Sequence, residues 1–258
     1  MSDTVSRADA GGVATLTLLR PGLSHALRND LLAAVQEVAA DESVRALLLT
    51  GSGRAFCVGQ DLAEHIESLR GNAATSLSVV EDEYNPLMLA LAALRVPVVV
   101  AINGACAGAG FGIALAGDLR VAAAGAKFTT AFAGVALSSD SALAARLVHS
   151  VGVSRATQLL FLPDPFTAET AEQWGLVHRV VDAEQVLPEA QALAARLANG
   201  PTAAYRAMKT VLATATTDSL EETLALEARL QTRLGQTADH REAVEAFLGK
   251  RAPEFTGR

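Results

Sequence analysis

The sequence predicts an α/β fold, on three observations. Short β-branched or leucine-rich runs alternate with segments of helical period through most of the chain. Apolar residues fill 50% of the 258 positions, enough for a large core, yet only 4% are aromatic, so that core is built mainly of Ala, Val and Leu. From about Gln191 onward the pattern is helical alone, which divides the chain into an α/β core over residues 1–190 and a helical region over 191–258.

The elements follow in order. Val13–Leu19 alternates as a strand and stops at Arg20-Pro21-Gly22. Leu31, Leu32, Val35, Val38 and Ala39 recur at helical spacing, which predicts a helix over Asn29–Ala40. Ala46–Thr50 is a buried strand closed by Gly51-Ser52-Gly53, and a long helical region lies between Ser76 and Leu94. Val98–Ile102 is a second buried strand, and a helix of small residues opens at Gly108 and runs to Ala116. Leu119–Ala122 and Lys127–Thr129 read as strands, Thr167 opens a helix with Glu169 in its first turn, and Val177–Val181 is the last strand. Ser219 with Glu222 forms a capping box, and Asp239 with Glu242 resembles another.

Bulk properties exclude several classes. A net charge of -7 and a pI near 5.3 leave no basic footprint for nucleic acid or for an anionic membrane. Cys57 and Cys106 have no metal-binding spacing with each other or with the five histidines, so they are expected to be reduced, buried thiols of a cytoplasmic protein. No metal or cofactor is expected, and the N-terminal residues lack the apolar core of a signal peptide. The uncharged stretch Val96–Gly117 has the ~20-residue length of a membrane span. Pro97, Asn103 and five glycines break it into strand, turn and helix instead.

That stretch carries the chemistry. Gly and Ala leave the backbone bare, so its N–H groups can approach a ligand. The first N–H groups of a helix lack internal acceptors and sit at the positive end of its dipole. Ala109, just inside the helix start, is one candidate donor toward a developing oxyanion. A second loop of similar character, Arg54–Leu62, offers the amide of Gln60, with Asp61 capping the next helix. Two alternatives stand beside this reading. The glycines could serve only close helix packing. The run Gly108-Ala109-Gly110-Phe111-Gly112-Ile113 also imitates a dinucleotide fingerprint, although Ile113 takes the third glycine's place and no N-terminal βαβ unit surrounds it.

AFCVGQDL (Ala55–Leu62) and NGACAGAGFGIALAGD (Asn103–Asp118) resemble the two signature segments of the crotonase, or enoyl-CoA hydratase/isomerase, superfamily. Arg20–Leu27, Ala171–Val181 and Ala246–Phe255 extend the resemblance over essentially the whole chain. It implies a spiral of ββα units with a C-terminal helical trimerisation region, and a homotrimer or dimer of trimers. It further implies an acyl-CoA substrate whose thioester oxygen is held by the Gln60 and Ala109 amides. CoA contacts fall near Ala26, Val58, Gln60, Asp61 and Leu62, with Phe247 and Lys250 toward the nucleotide end.

Departures from the family pattern bear on the reaction. The two catalytic glutamates of a hydratase fall on Gly112 and Phe132, neither of which moves a proton. An isomerase branch of the family likewise lacks both and carries an aspartate at the position of Asp140. The resemblance therefore implies an acyl-CoA isomerase in which Asp140 takes a proton from C2 of a 3-enoyl thioester and returns one at C4, or rearranges a ring epoxide. A wall of Phe111, Phe132 and Ala131 would raise its pKa by desolvation. Asp140 could instead cap a helix starting near Ser141. The family's proline and glycine pair around this aspartate are replaced by Ser139, Ala142 and Leu143. A hydratase of low activity and a non-catalytic acyl-CoA binder are the competing functions. The five histidines, having no acid at a motif spacing, read as structural or solvent-exposed.

Overall fold

The computed structural model describes residues 3–72 and 74–258. Its chain order is β1 (Val5–Ala10), β2 (Val13–Leu18), α1 (His25–Ala40), β3 (Ala46–Gly51), β4 (Ala55–Cys57) and α2 (Leu62–Asn72). Then come α3 (Asn85–Ala93), β5 (Val98–Ile102), β6 (Ala105–Ala107), α4 (Ala109–Ala116), β7 (Leu119–Ala123), β8 (Lys127–Thr129) and α5 (Leu143–Phe161). The chain closes with β9 (Phe166–Thr167), α6 (Ala168–Gln173), β10 (Arg179–Val181), α7 (Val186–Ala198), α8 (Thr202–Thr214), α9 (Leu220–Leu234) and α10 (Ala238–Leu248).

Two sheets share the strands in alternation. The larger runs β1-β2-β3-β5-β7-β10 and the smaller β4-β6-β8-β9. Each successive ββα unit gives its first strand to the large sheet and its second to the small one: β3 and β4 before α2, β5 and β6 before α4, β7 and β8 before α5. Within the large sheet every pair but β1–β2 is parallel. Interior parallel strands are covered on both faces, which explains why Ala46–Leu49 and Val98–Ile102 are uninterrupted buried runs. α7 packs across β3, β5 and β7.

Several sequence expectations shift. α1 begins at His25, four residues early, because the Ser24 hydroxyl accepts the Leu27 amide and caps it there. The Ser76–Leu94 region is a π-helical turn over Val80–Tyr84 running into α3, with Pro86 near the first turn of the latter. The last main-sheet strand is shortened to Arg179–Val181. β1 had no signal, since only Val5 of its six residues is buried. The Ser219/Glu222 capping box is present in full. The Asp239/Glu242 pair is not a second one: the Thr237 hydroxyl caps α10, and Asp239 accepts the amides of Thr256 and Gly257 at 2.7 and 2.9 Å. That bond folds the C-terminal residues back on the subunit, where Arg45 donates to the carbonyls of Phe255 and Gly200.

α4 meets β4 in a tight joint. A Cβ at Gly110 would fall 2.7 Å from both the carbonyl carbon and the Cβ of Cys57, well inside contact distance. Gly110→Ala is therefore expected to destabilise the fold by about 1–3 kcal/mol through overpacking, read as a lower urea midpoint.

Candidate active site

The loop after β4 and the first turn of α4 meet side by side. Gly59, at φ 86°, turns the first loop, and a Cβ there would lie 3.4 Å from the Ala109 nitrogen and 3.3 Å from the Ala107 carbonyl. The positive φ together with this close approach favours a residue without a side chain here. The loop is fixed from outside: the Val58 amide donates to Pro21 and Leu23 donates to Gly59, both at 2.8 Å. Asp61 accepts the amides of Ala63 and Glu64 at 3.0 and 3.1 Å and so caps α2. On the other side Gly108 holds φ 53°, ψ -129°, and its amide donates to Thr129. Among the described residues, neither the Gln60 nor the Ala109 amide donates to a protein acceptor. Ala109 is the first residue of α4 and has no intrahelical acceptor for its N–H.

The carboxyl group comes from the segment joining β8 to α5, which is strained. Ala131, Ala136, Ser141 and Ala142 all hold positive φ, between 51° and 65°. Each costs an L-residue roughly 1–2 kcal/mol, and such clusters persist where surrounding contacts impose them. The segment is anchored by the Thr130 hydroxyl, which donates to the Leu159 carbonyl at 2.7 Å. Asp140 does not cap α5: Ala142 takes the cap position with no side-chain bond, and the Asp140 carboxylate instead accepts the Ser141 hydroxyl at 2.8 Å. Its side chain is thus not spent on a helix cap. Burial pushes the Asp140 carboxyl above its ordinary value, and the Ser141 bond offsets part of that rise.

Gly112, where the family resemblance puts the first glutamate of a hydratase, faces this segment directly. A Cβ there would sit 2.7 Å from both the Cβ and the carbonyl oxygen of Ser141. The strained turn occupies the room a side chain would need. Phe132, where the resemblance puts the second glutamate, is half-buried, and its ring tip lies 3.9 Å from where a Cβ of Gly108 would be. It therefore flanks the Ala109 amide.

The remaining sequence candidates divide. Ala26, Val58 and Leu62 are exposed on one side of the loop, Val58 at 43% and Leu62 at 67%. Phe247 at 82% and Lys250 are exposed at the end of α10. Phe111 does not line open space. It packs in the core against Phe128 and Phe166, with ring centroids 5.4 and 6.1 Å away. Both thiols are free and buried, with Cys57 pushed up to about 12 by burial, so neither is a nucleophile at neutral pH. Among the described residues no group of His, Cys, Asp and Glu could hold a metal, and no helix is long and apolar enough to cross a membrane.

Spacing gave no hint of a buried cation. Arg28, 2% exposed, donates to Glu83 and to Glu64 at 2.6 Å each and to the Leu23 carbonyl, and its guanidinium lies 5.2 Å from the centroid of the Tyr84 ring. Burial opposes its charge, but the two carboxylates outweigh that and its pKa is raised. His25 does have an acid partner in space, Glu83 at 2.8 Å. A cleft of about 280 Å³ opens here beside Gln60, lined by His25, Arg28, Glu64, Ser78 and Glu83 among others.

Residues 8–258 match the family Enoyl-CoA hydratase/isomerase. An Escherichia coli K12 protein, 1,2-epoxyphenylacetyl-CoA isomerase, is 42% identical over 251 residues, covering 96% of each chain. A Rhodobacter capsulatus protein described as an enoyl-CoA hydratase is also 42% identical, over 254 residues and 96% and 95% of the two chains. The crystal structure of a Mycobacterium abscessus protein, described as an enoyl-CoA hydratase/isomerase, superposes with a TM-score of 0.96 at 47% identity, over 98% of this chain and all of that one. The chain belongs to the enoyl-CoA hydratase/isomerase family and has the crotonase fold.

Two outcomes follow for stability. Ala142→Gly relieves the left-handed backbone at φ 56° and is expected to stabilise by about 1 kcal/mol in urea titration. Asp140 is the opposite of a paired surface carboxylate. Its folded value lies above the ordinary 3.8, so its favourable contribution is complete below that pH and is lost as pH rises through the folded value. Asp140→Asn is therefore expected to be more stable than the parent at pH 7, with the difference closing below about pH 4.

Proposed function

We propose that this protein is an acyl-CoA isomerase that shifts a double bond, or rearranges a ring epoxide, alpha to a CoA thioester. The observation that carries the reading is the substitution of chemistry around one site. The position of the first hydratase glutamate has no room for a side chain, that of the second is Phe132, and a desolvated carboxyl, Asp140, caps no helix and is held by a single hydroxyl, that of Ser141. Hydration needs a positioned water with an acid and a base; moving one proton between two carbons needs a single carboxylate.

In the double-bond shift, ionised Asp140 takes a proton from C2 of the 3-enoyl thioester. The electrons of that C–H bond pass into a dienolate, whose negative charge gathers on the thioester oxygen between the Gln60 and Ala109 amides. Protonated Asp140 then returns the proton at C4, and the double bond settles between C2 and C3. No atom is gained or lost. Removing one donor of such an oxyanion pair costs about 3–4 kcal/mol in other enzymes. The isomerase relative from Escherichia coli supports this assignment, and the hydratase description of the equally similar Rhodobacter protein is the rival. CoA runs past Ala26, Val58, Asp61 and Leu62, with Phe247 and Lys250 reaching the nucleotide. The exposed Leu212, Leu220, Phe247 and Leu248 of the C-terminal helices support a trimer or a dimer of trimers. The two reduced thiols fit a cytoplasmic setting.

The test is turnover of a 3-enoyl-CoA to the conjugated 2-enoyl thioester, followed by ultraviolet absorbance. Asp140→Asn is expected to lower kcat by about 10²–10⁴-fold with little change in KM. Crotonyl-CoA should not be hydrated at a comparable rate. Tight acyl-CoA binding without turnover over a panel of chain lengths would replace this reading by that of a binder.

A further inference from the structure

Arg146 is the fourth residue of α5, six positions beyond Asp140, and the reaction described above makes no use of it. Its side chain crosses to α4, where Nη1 donates to the Leu115 carbonyl at 3.0 Å. That oxygen belongs to the last turn of α4, where carbonyls lack helical partners and a cation is favoured. The rest of the guanidinium is poorly served. Its Nε is buried and makes no hydrogen bond with the described residues. Among those residues no carboxylate pairs with it: Asp118, the acid that favours its charge, accepts Lys209 and the Val98 amide, both at 2.7 Å. Burial pushes the Arg146 pKa down. A guanidinium is thus a costly way to pack two helices together, since an apolar side chain would fill the space with no unpaired donor. What the arginine adds is a directed bond from the start of α5 to the end of α4.

That bond bears on the turn that carries Asp140. The Asp140 carbonyl accepts the Leu143 amide at 2.9 Å, and the Ala142 carbonyl accepts the Arg146 amide at 3.0 Å. The turn and the start of α5 are therefore one hydrogen-bonded unit. The unit meets α4 at two points one helical turn apart: Ser141 lies against Gly112, and Arg146 is bonded to Leu115. The first is a packing contact, which stops the turn from moving closer but not from lifting away. Lifting is favoured, because Ser141 and Ala142 hold φ 51° and 56°, a backbone conformation that L-residues leave when released.

Resting on the isomerase reading for the role of Asp140, we propose that Arg146 is a positioning residue whose bond to Leu115 tethers the strained turn to α4 and so keeps the Asp140 carboxylate in place. With the tether cut, the turn relaxes away from Gly112 and water reaches the carboxyl. Burial is what raises the Asp140 pKa, so hydration lowers it toward the ordinary 3.8. Loss of a nearby cation would by itself act the other way, so a fall reports movement and not charge. The charged and titratable groups around the pair are Tyr84, which senses Asp140, and Asp118 and Arg120, which act on Arg146. Behind these stand Lys209 on Asp118 and His178 on the Arg120 amide.

Arg146→Met keeps an apolar stem and removes the donor. The Asp140 carboxyl is titrated by carbon NMR in the ligand-free protein, its signal assigned by its absence in Asp140→Asn. The expected result is a midpoint lower by about half a pH unit or more, with kcat down about tenfold and KM little changed. Arg146→Lys keeps a cationic donor and is expected to hold the midpoint at the parent value. Arg146→Gln, too short to reach Leu115, is expected to show the same fall and carries the test should Arg146→Met not fold. In an Ala142→Gly background the fall is expected to shrink, because glycine takes the left-handed conformation without strain. An unmoved or raised midpoint overturns the tether even where the urea midpoint drops, since a purely structural arginine changes stability alone. A fall equal with and without Ala142→Gly overturns it as well. Parental turnover in Asp140→Asn would sink the isomerase assignment, while the NMR titration still decides the tether.

Discussion

Everything at this site depends on how closely α4 approaches the rest of the backbone. Gly110 lies against the main chain of Cys57, and Gly112 lies against that of Ser141. The helix is thus clamped between the strand that leads into the Gln60 loop and the turn that carries Asp140. Because the contacts are backbone on backbone, no side-chain rotation can relax them, and interiors at crystal-like density transmit such constraints. The clamp fixes the Ala109 amide relative to the neighbouring loop, and it sets where the Asp140 turn can run. Two amides without protein acceptors and one buried carboxyl flank the same helix through packing, not through a hydrogen-bond network of their own.

Charge is managed by a second device. Arg28 is the cation that joins α1, α2 and the π-helical turn, through Glu64 and Glu83. Breaking a buried pair of this kind by removing one partner typically costs about 3–5 kcal/mol, since the other charge is left stranded. The same arrangement leaves no cation on Asp140. The Asp140 carboxyl feels burial as its main influence, with the Ser141 hydroxyl opposing it. Burial that raises a carboxyl pKa makes it a stronger base once ionised, the pattern by which one environment prepares a carboxylate for proton transfer.

Much of this was legible in the residues. Val98–Ile102 and Lys127–Thr129 match their observed strands residue for residue, because continuous apolar runs and short β-branched segments leave few alternatives. The glycines and alanines of the two loops read equally as amide donors or as packing residues, and Gly110 and Gly112 do serve close packing. The ββα repetition was not legible, since the repeats share geometry and sheet membership but no residue pattern. The break in the Ser76–Leu94 region was hidden for a related reason: a π-helical turn keeps the composition of a helix. Arg28 and Tyr84 were missed because their importance lies in burial and in partners 36 to 56 positions away, which no local spacing encodes. Phe111 was misplaced because an aromatic beside a glycine looks the same whether it faces a pocket or, as here, a cluster of other rings.

The strained turn keeps its left-handed path in spite of the altered sequence around Asp140. Ala142 and Leu143 replace a glycine pair, yet the backbone at Ser141 and Ala142 still adopts the left-handed conformation that glycine favours. An alanine holds that conformation only at a cost of roughly 1–2 kcal/mol. Something outside the turn must therefore enforce it, and the contact of Ser141 with Gly112 on one flank, with Leu143 buried on the other, is what the structure offers. A side chain at position 112 and this path of the Asp140 turn exclude each other. A glutamate on α4 would displace the turn, and the turn as built displaces the glutamate. Which side chain position 112 can hold is thus decided sterically, by which backbone occupies the space beside Gly112.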